Sequence, residues 1–322
     1  MRSRVWRSAR TTGTRTRMSA RTSARSGSTR PGATALLAAA MALSLAACTA
    51  TPAASSATHG VSIDAGLVYS SPKGTDLELD ACTPKGATKP TPAVVLVHGG
   101  GFTEGDRASG GMRALCEYFA DNGLAAFSLD YRLGAGNGYP APLEDVDAAI
   151  TWIRDDQHAA RFNIRPTSIG ILGSSAGAIL AQTVATSGSG SLEKGTRVKA
   201  AVSLSGVSLM TEDALTLGSP TPQAAALILA YLGCPSPAAD VCPQAAEASP
   251  ELAVDSSDPP MILVNGSHEL VPAEQATSMA KALKAAGVPV QLSIQDGSKH
   301  GVQLLGPDTR KRIIQFFTAR LS

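Results

Sequence analysis

The segment Gly173-Ser174-Ser175-Ala176-Gly177 has the spacing G-x-S-x-G, with Ser175 at its centre. A short apolar run precedes it and an alanine-rich, helix-prone run follows, so the pattern predicts a strand, a sharp turn and a helix. A serine on such a strained turn is exposed and can act as a nucleophile. Because a serine hydroxyl reacts poorly at neutral pH, this chemistry also needs a base, a carboxylate that orients the base, and N–H donors for an oxyanion. Alone, the motif could arise by chance in a chain rich in Ala, Gly and Ser.

Two of the five histidines, His268 and His300, follow Ser175 along the chain. His300 lies in the polar segment 296–301, directly after the last predicted strand, 288–294. This loop is expected at the sheet edge where the turn of Ser175 emerges, so His300 is predicted to be the base. The alternative is an ordinary surface-loop histidine.

The carboxylate is predicted in the loop after the strand 261–265, where Glu269 is the only acidic residue. Aspartate and glutamate can both hold an imidazole in the required tautomer. The alternative acids are Asp255, Asp258 and Glu274. His268 directly precedes Glu269, and we expect it to shield or hydrogen-bond the acid rather than to act as a base.

Three consecutive glycines, Gly99 to Gly101, follow an apolar run at 93–97. Such a run is typical of a strand that is buried on both faces of a parallel sheet. A turn needs only one or two glycines, and each glycine costs backbone entropy on folding. The triple glycine therefore indicates a loop whose backbone N–H groups point into a site, with a plain connecting turn as the alternative.

Predicted strands and helices alternate along most of the remaining chain. The strands are at 61–69, 76–82, 93–97, 125–131, 168–172, 198–204, 261–265 and 288–294, and helices are at 112–121, 143–154, 223–232, 273–286 and 310–321. This alternation predicts an α/β fold with a doubly wound, mostly parallel sheet. Residues of about 210–250 interrupt the alternation, and we expect them to form a small helical insertion that covers the strand ends as a lid.

Residues 1–47 have the composition of a secretory signal peptide. An Arg-rich stretch precedes an apolar run at 33–47 that is too short to span a bilayer comfortably. The run ends in L-A-A-C at Cys48, which resembles the lipobox of bacterial lipoproteins, so Cys48 is predicted to be lipidated. The alternatives are an ordinary signal peptide and an uncleaved membrane anchor, and Met18 is a possible alternative start.

After Cys48, residues 48–60 are expected to be a linker rich in Ala, Ser, Thr and Pro, and residues 61–322 one catalytic domain. The protein is then expected on the outer face of the cell membrane, or secreted. The 28 Lys and Arg residues include nine Arg that precede the first acidic residue, which leaves 19 against 26 Asp and Glu. A mildly acidic body gives no reason to expect a nucleic-acid partner. No cofactor is predicted, and the sequence does not indicate an oligomeric state.

Four cysteines remain besides Cys48, namely Cys82, Cys116, Cys234 and Cys242. An exported protein meets an oxidising compartment in which disulfides form. The sequence allows three pairings, of which we favour Cys82–Cys116 and Cys234–Cys242 as structural bonds. No C-x-x-C motif or Cys/His cluster is present in the sequence, so a metal site is not expected.

Several motifs occur in the same order as in a known group of enzymes. They are L-E-L-D-A-C-T-P at 77–84, H-G-G-G-F at 98–102 followed by G-D at 105–106, D-Y-R-L at 130–133, Y-P-A-P-L-E-D-V at 139–146, G-S-S-A-G at 173–177 and H-G at 300–301. On these residues, the segment from about 62 to 322 resembles an α/β-hydrolase of the hormone-sensitive-lipase-like and BD-FAE-like carboxylesterases. The resemblance implies an α/β-hydrolase fold in which Ser175 is the nucleophile. It also implies that the backbone N–H groups of Gly100, Gly101 and Ala176 donate to the oxyanion.

The acid loop departs from the family pattern G-x-x-D-x-x-V-P. Glu269 stands where the aspartate belongs, and the distance to the following V-P pair is one residue shorter. The acid is therefore the position at which the resemblance is weakest. Three further motif residues are expected to be structural: Tyr131 and Tyr139 near the mouth of the site, and Asp106 as a carboxylate that braces the glycine loop.

The expected function is hydrolysis of short-chain acyl or acetyl esters, in small molecules or on plant polysaccharides, by Ser175, His300 and Glu269. The alternatives within the fold are a lipase, which the aromatic content of 4% and the short lid disfavour, and a serine peptidase, for which a separate gating domain is lacking. A catalytically inactive surface-binding module is the alternative from a different class. A cytoplasmic esterase with a spurious N-terminal extension would instead have free thiols at Cys82 and Cys116.

Overall fold

A computed structural model of the chain describes residues 60–322. The predictions of a signal peptide at 1–47, of lipidation at Cys48 and of a linker at 48–60 fall outside this range, apart from Gly60. Among the described residues, no helix is both long enough and apolar enough to cross a membrane.

One eight-stranded sheet organises the described residues. Its strands are β1 (Val61–Ser70), β2 (Leu77–Pro84), β3 (Thr91–Val97), β4 (Ala125–Leu129), β5 (Ile164–Ser174), β6 (Ala200–Leu204), β7 (Met261–Gly266) and β8 (Val290–Gln295). Their order across the sheet is β1-β2-β4-β3-β5-β6-β7-β8. The two pairs β1/β2 and β2/β4 are antiparallel, and the other neighbouring pairs are parallel.

Helices cover both faces of this sheet. They are α1 (Met112–Asp121), α2 (Ala141–Arg154), α3 (Asp156–Arg161), α4 (Ala176–Thr186), α5 (Pro222–Leu232), α6 (Gln244–Glu247), α7 (Ala273–Ala285) and α8 (Pro307–Leu321). The apolar faces of α1 and α8 belong to one buried core, whereas those of α2, α4 and α7 belong to a second one. The predicted doubly wound α/β architecture is therefore confirmed.

The central strands read as unbroken apolar runs because both of their faces are covered. In β3, Val95 and Val97 belong to the core with α2 and α4, whereas Val94 and Leu96 belong to the core with α1 and α8. Successive side chains of a strand point to opposite faces, so each face of β3 supplies one core.

The largest differences from the predictions are at the start of β5, at the start of α8 and at two short helices that were not predicted. β5 begins at Ile164 rather than at 168, because Ile164 already pairs with Thr91 of β3. α8 begins at Pro307 rather than at 310, since proline suits the first helical turn. α3 and α6 were not predicted, because helices of six and four residues are too short to leave a periodic pattern.

The chain between β6 and β7 forms the predicted helical insertion. It spans 205–260 and contains α5, α6 and two short 3-10 helices. Both favoured disulfides are present: Cys82–Cys116 joins β2 to α1, and Cys234–Cys242 joins the end of α5 to the segment before α6. Cross-links of this kind restrict the unfolded chain and so stabilise the fold.

The strand order reverses at β3, which has β4 on one side and β5 on the other. In open α/β sheets, a crevice forms outside the carboxyl ends of the strands at such a reversal. The chain leaves β3 at His98 and leaves β5 at Ser175. The topology therefore brings the glycine loop and Ser175 to the same crevice.

Asp147 on α2 provides a pH test of the packing. Burial raises the pKa of its carboxyl group from 3.8 to about 6. A carboxyl group that binds its proton more tightly in the folded state lowers stability as the pH rises between the two pKa values. We therefore expect Asp147→Asn to raise Tm at pH of about 7.5 and to raise it much less at pH of about 4. Thermal unfolding at both pH values measures the effect, and Asp240→Asn is the control because Asp240 is exposed. Equal changes in Tm for Asp147→Asn at the two pH values would contradict the prediction.

Candidate active site

Ser175 occupies the turn between β5 and α4, with φ 54° and ψ −118°. A Cβ atom on Gly173 would lie 2.0 Å from the carbonyl oxygen of Gly177. A Cβ atom on Gly177 would lie 2.2 Å from the carbonyl oxygen of Val97. The close approach of β3, β5 and α4 thus requires both glycines of the motif, and it leaves Ser175 half-buried at the tip of the turn.

Ser175, His300 and Glu269 form one hydrogen-bonded chain. The Oγ atom of Ser175 lies 2.8 Å from Nε2 of His300, and Nδ1 of His300 contacts Oε2 of Glu269. An ionised carboxylate can only accept, so Nδ1 carries the proton and Nε2 accepts from the hydroxyl of Ser175. The three side chains come from the loops after β5, β7 and β8, which end at the same edge of the sheet.

The side chain of Glu269 is fully buried, and both of its oxygens have partners. Oε2 contacts His300, while Oε1 accepts from the hydroxyl of Ser205 at 2.7 Å and from the N–H group of Gly266 at 2.8 Å. Ser205 also accepts from the N–H group of Gly301 at 2.8 Å. It therefore ties the acid to the residue after His300. The sequence analysis missed Ser205, although a serine directly after the buried strand β6 could have indicated it.

The other acidic candidates and His268 have different partners. Asp258 pairs with Arg197, Asp255 accepts from the N–H group of Ser257, and the carboxylate of Glu274 lies beside Gly218. None of these acids contacts His300 within residues 60–322. Nδ1 of His268 contacts Oγ of Ser267 at 2.8 Å. Glu269 has no hydrogen bond to His268 among the described residues, so the hydrogen-bonding form of the expectation was wrong, whereas shielding of the acid by His268 stays a prediction.

The glycine loop after β3 lies against the turn of Ser175. A Cβ atom on Gly99 would lie 2.9 Å from the carbonyl oxygen of Ser174 and 3.0 Å from Cβ of Ser175. Gly100 has φ +124°, and a Cβ atom there would lie 1.9 Å from the carbonyl oxygen of Glu104. Both positions therefore require glycine, one because of the neighbouring turn and the other because of the fold of the loop itself.

Three backbone N–H groups beside Ser175 have no protein acceptor among residues 60–322. They belong to Gly100, Gly101 and Ala176. Ala176 is the first residue of α4, where the N–H groups have no partner within the helix and the helix dipole favours negative charge. These donors are available to an anion or to a polarised carbonyl oxygen beside the serine hydroxyl.

His98 sets the orientation of the peptide between Gly99 and Gly100. The ring is 2% exposed, and its Nδ1 lies 2.6 Å from the carbonyl oxygen of Gly99. A carbonyl only accepts, so Nδ1 carries the proton, and burial lowers the pKa of His98, which favours the neutral ring. Because C=O and N–H point in opposite directions across a trans peptide, this bond turns the N–H group of Gly100 away from His98. Tyr131 stacks on the ring of His98, and its hydroxyl donates to the carbonyl of His98 at 3.0 Å. Tyr131 therefore lies beneath the glycine loop, and the expectation that it lies near the mouth of the site was wrong.

Arg107 anchors the chain that follows the glycine loop to the sheet. The sequence analysis did not identify this residue. Its guanidinium forms ion pairs with Glu78, Asp80 and Asp130 at 2.5, 3.0 and 2.6 Å. The preceding Gly105 approaches Gly99 so closely that a Cβ atom would lie 2.5 Å from the carbonyl oxygen of Gly99. The segment after the glycines thus returns to the sheet and is anchored there by one arginine.

The expectation that Asp106 braces the glycine loop was wrong. Its carboxylate accepts from the N–H groups of Ala108 and Ser109, both at 2.7 Å, and these bonds lower its pKa. Asp106 therefore stabilises a local turn, and the charged residue that anchors the glycine loop is Arg107. Tyr139 has a structural role through its backbone, whose N–H group donates to the carbonyl of Tyr231 at 2.7 Å.

A narrow cleft opens beside Ser175, with a volume of about 30 Å³. Besides Ser175 and Ser205, the lining residues are apolar and include Phe102, Ile179, Val207 and Leu270. The volume suits about two groups the size of a water molecule or a methyl group. The cleft thus offers a small apolar space directly at the hydroxyl.

The arrangement has the parts that serine-dependent acyl transfer requires. It combines a hydroxyl bonded to an imidazole, a buried carboxylate on the other ring nitrogen, and N–H donors without acceptors beside the hydroxyl. The part of the chain that the structure describes contains no group of three or more His, Cys, Asp or Glu residues that could hold a metal ion.

Residues 79–283, more than half of the chain, match the BD-FAE family. The chain is 28% identical over 229 residues to a protein of Mycobacterium tuberculosis described as probable carboxylic ester hydrolase LipM, and the match covers 68% of this chain and 51% of LipM. The chain thus spans about half the length of the curated relatives that it matches.

Solved structures are similar over a larger part of the chain. The esterase Est2 of Thermogutta terrifontis is 27% identical, with 81% of this chain and 90% of that one covered and a TM-score of 0.62. Est2 has also been solved with propionate and with butyrate bound. An acetyl ester-xyloside bifunctional hydrolase of Caldicellulosiruptor lactoaceticus is 27% identical, with coverage of 76% and 88% and a TM-score of 0.63.

Proposed function

The chain belongs to the BD-FAE family and has an α/β-hydrolase fold, and from this premise we propose that it is a serine carboxylic-ester hydrolase. The observation that carries the proposal is the chain of hydrogen bonds from Ser175 through His300 to the buried Glu269. The unpaired N–H groups beside the hydroxyl support the same chemistry.

In the first step, Oγ of Ser175 attacks the ester carbonyl carbon while its proton passes to Nε2 of His300. The carbonyl oxygen becomes an oxyanion, and the backbone N–H groups of Gly100, Gly101 and Ala176 donate to it. Loss of one such donor costs about 3 kcal/mol in comparable sites. The bond to the alcohol then breaks, and the alcohol oxygen takes the proton from Nε2.

In the second step, water attacks the acyl group on Ser175 and gives a proton to Nε2 of His300. The acyl–Oγ bond breaks, Oγ recovers the proton, and the carboxylic acid leaves. Glu269 stays ionised through both steps, holds the ring with its proton on Nδ1, and stabilises the positive charge that forms on it.

The substrates that we propose are acetyl and other short-chain acyl esters, on small molecules or on polysaccharides. The volume of about 30 Å³ beside Ser175 supports a small acyl group. Est2 binds propionate and butyrate, and the similar Caldicellulosiruptor enzyme is named for acetyl esters and xylosides, which supports the same substrate class.

We also retain the proposal that the enzyme is exported and attached to the outer face of the membrane by lipid on Cys48. The two disulfides support an oxidising compartment, because such bonds are rare in the cytosol of most organisms.

A panel of nitrophenyl esters of increasing chain length, with acetylated xylan and a feruloyl ester beside it, tests the substrate class. We expect kcat/KM to be highest between acetate and butyrate, because longer chains exceed the cleft beside Ser175. Faster hydrolysis of long-chain esters would contradict the short-chain proposal. Failure of a fluorophosphonate probe to label Ser175 would contradict the hydrolase proposal itself.

Ser205→Ala removes one hydrogen bond to the ionised Glu269 and the acceptor for the N–H group of Gly301. Hydrogen bonds to charged groups contribute about 1.5–3 kcal/mol, so we expect kcat to fall about 10- to 100-fold with KM unchanged. The control is Ser203→Ala on β6, two residues before Ser205, whose hydroxyl accepts from Gln182 at 2.9 Å. Equal losses in both variants would contradict a positioning role for Ser205.

A further inference from the structure

A second cavity, of about 250 Å³, lies under α5 in the insertion. Only two of its lining residues are polar, Thr211 and Gln275. The amide of Gln275 is already occupied, because its Oε1 accepts from the N–H groups of Ser208 and Leu209 at 2.8 and 2.9 Å. An apolar cavity of about 150 Å³ can hold a benzene-sized molecule. The second cavity is therefore large enough and apolar enough for an alkyl chain of medium length.

The second cavity and the cleft beside Ser175 share a wall. Four residues line both spaces, and they are Val207, Ala224, Ile228 and Val271. A group that entered the cleft at Ser175 would therefore reach the second cavity if this wall opened.

The cleft lies on the acyl side of Ser175. Its lining includes Gly101 and Ala176, which are the proposed donors to the carbonyl oxygen, but it does not include His300. The alcohol must leave beside the ring nitrogen that protonates it, and the acyl group therefore occupies the side away from His300.

Of the four shared residues, Ile228 is the one whose substitution should open the wall. Ala224 is small, and the segments that carry the two valines are held by buried hydrogen bonds. The N–H group of Ser208, next to Val207, donates to Gln275, and the carbonyl of Val271 accepts from the side chain of Asn265. Ile228 has the largest side chain of the four and is half-buried on α5.

We propose that Ile228 limits the length of the acyl chain that the enzyme accepts, because its side chain separates Ser175 from the apolar cavity under α5. The inference rests on the proposed ester hydrolysis and adds the residue that limits the acyl length. The wild-type protein then accepts chains up to the wall, and the space behind the wall remains unused.

Ile228→Ala tests the proposal through the ratio of kcat/KM for nitrophenyl octanoate to that for nitrophenyl acetate. A methylene group in an apolar pocket changes kcat/KM by about tenfold or more. We therefore expect the ratio to rise at least about tenfold in Ile228→Ala, and by a smaller factor in Ile228→Val, which removes only one methyl group and preserves the packing of α5. An unchanged ratio in both variants, with their Tm near that of the wild type, would overturn the proposal.

Two further variants distinguish a change in the ratio that comes from opening the wall from one that comes from weaker packing of α5. Leu232→Ala removes the same number of carbon atoms from a buried position of α5 that lines neither space, and its ratio should stay at the wild-type value. Ala225 lines only the second cavity, so adding Ala225→Leu to Ile228→Ala should cancel the gain with octanoate. A gain in Leu232→Ala equal to that in Ile228→Ala, or a gain that survives Ala225→Leu, would overturn the proposal.

The rate of acetate-ester hydrolysis by the wild type, compared with the rate of Ser175→Ala, distinguishes failure of the proposed ester hydrolysis from failure of the proposed role of Ile228. If the wild type shows no hydrolysis that depends on Ser175, the proposed function and the proposed role of Ile228 both fail. If the wild type hydrolyses the acetate ester and the Ile228 variants keep the wild-type ratio, only the proposed role of Ile228 fails.

Discussion

Replacement of Ser175 by alanine is expected to lower kcat for nitrophenyl acetate by about six orders of magnitude. The alanine has no atom that can attack the carbonyl carbon, so His300 has no proton to accept and no acyl-enzyme forms. The remaining rate would come from the N–H donors and from binding alone. Steady-state kinetics with the nitrophenyl ester, together with the loss of fluorophosphonate labelling, measures the effect.

Ser174 provides a matched control for this variant because it is the neighbouring serine of the same motif. Its hydroxyl accepts from the N–H group of Val302 at 3.2 Å, and it does not contact His300 within the described residues. Ser174→Ala should therefore keep fluorophosphonate labelling and lose less than about tenfold in kcat. An inactive Ser174→Ala beside an active Ser175→Ala would mean that the nucleophile had been assigned to the wrong serine.

The fold could be predicted where the local pattern was strong. The run 93–97 predicted β3 because both of its faces are buried, and α1 has the predicted bounds because its apolar residues recur at helical spacing. The short helix α3 could not be predicted in this way. It depends on Asp155, whose side chain caps its first N–H groups, and six residues give no periodicity.

The candidate site could be predicted where one motif contained the whole geometric requirement. A Cβ atom at position 173 or 177 would collide with backbone atoms, so the turn requires glycine at both positions. The spacing of the two glycines around Ser175 therefore predicts the turn from local sequence alone. No local sequence motif indicates the roles of Ser205 and Arg107. Ser205 bonds a carboxylate 64 residues away, and Arg107 pairs with acids on β2 and after β4, so both roles depend on how distant strands lie together.

The second large effect is expected at the acid. Glu269→Gln should lower kcat by about four orders of magnitude, because an amide cannot stabilise a positively charged imidazole and its NH₂ group competes with the proton on Nδ1 of His300. Steady-state kinetics on a short-chain ester, with the pH dependence of kcat/KM beside it, provides the measurement. Glu274→Gln is the control, since Glu274 follows in the same region and does not contact His300 within residues 60–322. A loss in Glu274→Gln that exceeds the loss in Glu269→Gln would place the acid elsewhere.

Glu269→Asp tests the glutamate that this chain has where the pattern G-x-x-D-x-x-V-P of the resembled carboxylesterases has an aspartate. The loop is one residue shorter before the V-P pair, and the extra methylene lets the carboxylate reach His300 while its other oxygen stays bonded to Ser205 and Gly266. The aspartate keeps the charge but cannot satisfy both sides at once. We expect kcat to fall about 10- to 100-fold, between the wild type and Glu269→Gln, because a lost bond to a charged group contributes about 1.5–3 kcal/mol. Insertion of one glycine before Val271 in the aspartate variant should restore part of the rate, since it gives the loop the length that the pattern G-x-x-D-x-x-V-P has.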